Sequence, residues 1–154
     1  MPWTGGSVES ALRDYCQTAD QAIELARQYN VHFVEAPLHL LIADAAGTFR
    51  ILEYVDGQMR VIKPDEPWQV CTNDVLCDKT EHEKDATCPR YRAGSELAAQ
   101  CAEQGSLSDV RSIVQRMSQP HTMWSSIYNL TSNEAFISYR GQFDGEYRDR
   151  LGRD

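Results

Sequence analysis

Between Pro37 and Asn73 the chain reads PLHLLIADAAGTFRILEYVDGQMRVIKPDEPWQVCTN, short apolar stretches broken at Asp44-Ala-Ala-Gly47, at Asp56-Gly57 and at a loop marked by Pro64 and Pro67. Each stretch is too short for an amphipathic helix, and each break carries residues suited to a turn. A meander of antiparallel strands is the simplest structure such a segment can form. Asp56-Gly57 is the firmest break, because a type I′ hairpin turn needs positive φ at both central residues and Asp-Gly tolerates it. Four strands are expected: Leu38 to Ala43, Phe49 to Tyr54, Met59 to Ile62 and Trp68 to Thr72. In the first, Leu38, Leu40 and Ile42 face one way and His39, Leu41 and Ala43 the other, the pattern of a strand inside a layered sheet.

Helices flank the meander. Val8, Leu12 and Tyr15 fall at helical spacing behind Ser7, and Thr18-Ala-Asp-Gln21 matches a capping box opening a helix that Asn30 would stop. The polar stretch Asp74 to Pro89 has no periodicity and is expected as an irregular surface loop. Arg90 to Gln104 reads as a helix with Tyr91, Leu97, Ala98 and Cys101 on one stripe, ended by Gly105. Ser108 is the expected cap of a second helix, with Val110, Ile113, Val114 and Met117 inward and Pro120 ending it. Trp124 to Leu130 and Ala135 to Tyr139 form a closing hairpin, and the charged tail from Arg148 is expected to fray. Blocks of strands and blocks of helices indicate an α+β fold, a mostly antiparallel sheet with packed helices, as one domain over 1–154 (meander 37–73, helices 90–118, hairpin 124–140).

The 154 residues carry a formal net charge of −8, against a nucleic-acid partner, whose phosphates need clustered Lys and Arg. No run of about 18 apolar residues exists to cross a membrane. Met-Pro-Trp-Thr-Gly-Gly-Ser is not a secretory signal, so a cytoplasmic location is expected. Five cysteines in no framework spacing fit a reduced compartment. Cys77, His82 and Cys88 lack zinc-ligand spacing, so no metal or cofactor is expected. His39 reads as a satisfied core histidine, while Asp44 and Glu53, flanking a hairpin turn, are expected to solvate it. No GxSxG elbow supports a serine hydrolase.

A collinear series extends from about Ala11 to about Tyr139: CQTADQAIELARQ, PLHLLIADAAGTFRILEY, VCTN, PRYRAGSEL and WSSIYNLTSNEAFISY. This series resembles the linear-amide C–N hydrolases of the N-terminal-nucleophile class, the choloylglycine hydrolase and penicillin V acylase or acyltransferase-like proteins. The resemblance implies part of an αββα sandwich and hydrolysis, or acyl transfer, of a small-molecule linear amide. It makes Asn73 the oxyanion-hole donor, since a neutral carboxamide stabilises the tetrahedral oxyanion without a charge to desolvate. It makes Arg90, or Arg92 two residues on if the register differs, a cationic support for the nucleophile. The family's N-terminal Cys, whose α-amino group acts as base, has no counterpart: residue 2 is Pro, Cys16 leads into a helix, and Cys71 lies on a strand. The chain therefore reads as a C-terminal portion needing an N-terminal segment or subunit. The alternative is a non-catalytic remnant or binding module of the same fold, with its uncovered apolar face paired in a homo-oligomer.

Overall fold

The computed structural model describes residues 8–29, 39–103 and 105–150. The expected stop at Asn30 and the first strand residue, Leu38, lie outside the described residues. The fold is α+β, with two three-stranded antiparallel sheets and five helices among the described residues. The chain divides into two compact units, residues 1–87 and 88–154.

In the first unit, α1 (Val8–Tyr15) and α2 (Ala19–Ala26) pack on a sheet of β1 (Leu40–Ala43), β2 (Phe49–Val55) and β3 (Gln58–Ile62). Strand alternation puts Leu40, Ile42, Leu52, Met59 and Val61 on the face toward the helices, where they meet Leu12, Ala22, Ile23 and Ala26. Thr18 caps α2 by accepting the Gln21 amide, and the Gln21 side chain returns a bond to the amide of Gln17. The β2–β3 turn has Asp56 at φ 52° and Gly57 at φ 71°, both in the left-handed region, as the Asp-Gly pair requires.

The opposite face of this sheet differs from expectation. Leu41 and Ala43 are exposed, so β1 is not sandwiched on both sides; Ile51 and Glu53 of β2 are the residues buried there. Residues 68–72 do not form a fourth strand. Pro67 offers no amide to a ladder, and the Gln69 side chain rather than a backbone amide bonds the Ile62 carbonyl, at 3.3 Å. Val70 and Thr72 are nonetheless buried. The stretch expected as an irregular loop holds α3 (Glu81–Thr87), opened by Thr80, whose hydroxyl accepts the Glu83 amide while Glu83 accepts from Thr80.

In the second unit, α4 (Pro89–Cys101) and α5 (Leu107–Met117) pair beside β4 (Trp124–Asn129), β5 (Glu134–Tyr139) and β6 (Gln142–Arg150). The α5 cap is Ser106, not Ser108: Ser106 and Asp109 exchange side-chain and backbone bonds in a full capping box. Val110, expected inward, is exposed, and Leu107, now within the helix, is half-buried. The charged tail is not frayed through Arg150 but forms β6, entered by a turn with Arg140 at φ 48° and Gly141 at φ 72°. Ile127, Phe136 and Phe143 are buried, and Arg111 of α5 lies 5.5 Å over the Phe136 ring while binding Glu146 of β6 through two nitrogens.

Asp44 ties the first unit together. Its carboxylate accepts the Ala46 and Thr48 amides of the β1–β2 turn and also the Ala19 amide at 2.9 Å, an otherwise unsatisfied first-turn donor of α2. The Ala19 amide, aided by those of Thr48 and Ala46 and by the Arg50 charge, holds the Asp44 carboxyl below its ordinary value against the opposing effect of desolvation. A depressed carboxyl contributes stability that is present above its unfolded pKa and lost as pH falls through the folded value. Asp44→Ala should therefore cost about 1–2 kcal/mol in urea unfolding at pH 7. The gap to the parent should close in acid, and a gap that persists there would assign the effect to packing instead.

Candidate functional site

Glu53 sits in the middle of β2, on the face away from α1 and α2, in register with Arg60 of β3. The Leu40–Leu52 pairing continues by one step to place His39 opposite it. The Glu53 side chain is 2% exposed and that of His39 7%, with His39 Nε2 2.5 Å from Glu53 Oε1. Nε2 of His39 thus faces the carboxylate directly. Oε1 also accepts the Leu76 amide at 2.8 Å, and Oε2 accepts the Cys77 amide at 2.9 Å. Glu53 is thus the centre of a buried polar cluster rather than a solvating turn residue, and His39 is its satisfied partner.

Two thiols feel this carboxylate. Burial, then a hydrogen bond to Glu53, then the charges of Glu53 and Asp78 push the Cys77 thiol up to about 11. Burial and the Glu53 charge also raise Cys71. A thiol held protonated is a poor nucleophile at neutral pH. The cluster therefore orders backbone and does not activate sulfur.

What it orders is one wall of a groove. With Leu76 and Cys77 fixed, the loop that follows lines an open cleft of about 440 Å³ against Arg60 and Lys63, together with Asp78, Lys79 and Lys84. Apart from Cys77, weighed as a zinc ligand, none of these residues carries a signal in the sequence. The turn-set register could have paired His39 with Glu53, but the basic side chains converge only through the tertiary fold.

Asn73 lies in the same unit, exposed, after the buried Thr72, in an irregular segment rather than at a strand end. Arg90 belongs to the other unit, in the first turn of α4. With the Gln119 carboxamide turned so that its oxygen faces Arg90, it accepts from Nε and Nη1, both at 3.1 Å. Arg90 thus joins the start of α4 to the segment after α5, while Arg92 is exposed. Among the described residues no group of three or more His, Cys, Asp or Glu is placed to hold a metal ion.

Removing the central acceptor leaves three buried donors unanswered, so Glu53→Ala should lose roughly 3–5 kcal/mol of unfolding free energy. Glu53→Gln, which keeps an acceptor oxygen, should lose less. Cys77 should react with a thiol reagent at pH 8 about 100-fold more slowly than a thiol at its ordinary pKa, followed by peptide mass spectrometry. Rapid labelling of Cys77 in the folded chain would show that the carboxylate does not hold its proton.

No family model, curated protein or solved structure matches this chain, so its function must be argued from the geometry above and from the surface of the second unit.

Proposed function

We propose that the chain is a non-catalytic binding module that pairs with a second copy of itself through the sheet of its second unit. The observation that carries this reading is an aromatic face on that sheet. Trp124 and Tyr139 are cross-strand partners, and strand alternation sets Tyr128 and Tyr147 on their side. These four side chains are 68%, 55%, 56% and 63% exposed, in that order. Single exposed aromatics are ordinary, but several on one sheet face mark an interaction surface. Aromatic rings bury large area at little cost in rotamer entropy, which suits an interface.

The edge beside that face supports the same reading. β4, WSSIYN, carries no charged residue and is paired on one side only among the described residues. An uncharged edge can accept another strand, and a two-fold axis would lay β4 antiparallel to its own copy. In the first unit, His39 and Glu53 serve as structural partners for each other, and Glu53 accepts two backbone amides as well. The amidase reading rests on the sequence resemblance. It needs Asn73 as oxyanion donor, Arg90 as support and an N-terminal Cys from another segment, acting on a small-molecule amide.

Sedimentation of the chain should give a dimer in the micromolar range. Trp124→Ser combined with Tyr139→Ser should weaken it by about tenfold or more, as expected for central aromatic anchors. Ser126→Lys on the β4 edge should do the same. A chain still monomeric at about 100 µM, where even a modest interface would be filled, rules the pairing out. Release of product from a linear amide substrate on adding a Cys-led segment, abolished in Asn73→Ala, would replace this reading with the amidase one.

A further inference from the structure

We infer that the groove beside β3 is an anion site that takes a phosphate-bearing small molecule. The chain as a whole is acidic, with 15 Lys and Arg against 23 Asp and Glu. The groove reverses that balance: Arg60, Lys63, Lys79 and Lys84 line it against the single carboxylate of Asp78. Like charges brought together in an otherwise acidic protein repel one another, and a multivalent anion among them removes the repulsion and adds charge-assisted hydrogen bonds.

Two of the four cations are not engaged in the way structural ones are. Arg60 and Lys63 are exposed, and their side chains form no hydrogen bond or ion pair with any described residue. Lys79 reaches the Thr87 hydroxyl only at 3.5 Å. Lys84 pairs with Glu81 at 2.5 Å, its side chain 11% exposed, so its ammonium is already held at the groove. The wall opposite β3 is fixed by the amides of Leu76 and Cys77 on Glu53, so a ligand would meet an arrangement already ordered.

A second groove shares Arg60, Val61 and Lys63 with the first but lies on the helix side of the β3 edge, lined also by Ile23, Arg27, Arg50 and Met59, with Asp20 and Glu24 from α2. Arg27 there is paired with Glu24 at 3.3 Å. The second groove is mostly charged, with Ile23, Met59 and Val61 its apolar members, and the anion site is the first groove alone. Arg60 and Lys63 could alone be guards on an open strand edge. Edge protection, however, gives no reason for Lys79 and Lys84, which lie on the loop and on α3, to line the same space.

Calorimetric titration of the full chain with inorganic pyrophosphate tests the assignment. One saturable site per chain is expected, weakening as salt rises. Arg60→Ala with Lys63→Ala should reduce affinity by about tenfold or more, and Lys63→Glu alone should reduce it as well. Arg116→Ala, an exposed cation of the second unit, should leave binding unchanged. Both groove positions are exposed, and an unaltered circular dichroism spectrum checks that these variants remain folded. Absence of saturable binding overturns the proposal, as does equal binding by the double variant. Sedimentation with phosphatidic-acid vesicles in the absence of any pyrophosphate binding would move the phosphate to a lipid surface and overturn the small-molecule assignment. The titration reads monomer and dimer alike, so its failure leaves the self-association proposal standing, and the converse holds.

Discussion

A buried carboxylate is tolerated only when donors replace the water it has lost, and Glu53 meets that condition through one imidazole and two backbone amides. The rest of the first unit follows from how those donors are brought in. The β1–β2 turn sets the register, the register places His39 opposite Glu53, and the carboxylate then draws in a segment that has no ladder to join. Residues 68–77 cover the sheet without forming a strand because a side-chain acceptor, rather than a neighbouring strand, satisfies the Leu76 and Cys77 amides. The groove wall is a consequence of the same bonds.

That carboxylate also decides what the unit does not do chemically. A negative charge beside a thiol favours the protonated form, and burial acts in the same direction at Cys77 and Cys71. An activated cysteine needs the reverse: a cation, a helix N-terminus or a base with a free lone pair. His39 is the nearest base by register, and its Nε2 faces the carboxylate. The same interaction that orders the loop thus silences the sulfur atoms around it.

Local signals suffice where local chemistry governs. Asp56-Gly57 forms its turn because both positions accept positive φ, and Thr18 with Gln21 opens α2 because those side chains reach the free amides. The helix stripe on Tyr91 and the β4–β5 hairpin follow from periodicity. Sequence and structure part where a distant partner decides. Trp68 to Thr72 has strand composition, yet the β3 edge offers it no ladder. Arg148 to Arg150 looks like a frayed tail, yet Glu134 pairs with Arg148 and the strand closes on β5. Glu53 looked like a turn residue because its burial depends on a segment more than twenty positions away. Asp44 does serve the turn, but its bond to Ala19 crosses a comparable distance and could not be seen locally. Of the candidate site, the strand positions were legible and the convergence of four basic side chains was not.

The two sheets have four edges between them, and the residues on those edges differ in a way that bears on association. β3 carries Arg60 and ends beside Lys63, and β6 carries Asp144, Glu146, Arg148, Asp149 and Arg150. Charges on an open edge disfavour strand addition, because the incoming strand would have to desolvate them. β1 is uncharged but only four residues long, too short to hold a partner by ladder bonds alone. β4 is longer, uncharged and flanked by exposed rings of Trp124 and Tyr128 on one face. Pairing there would satisfy backbone groups and cover apolar surface in one step, a combination that none of the other edges offers. Among the described residues, β4 is therefore the edge of sufficient length on which an added strand would meet no charge to desolvate.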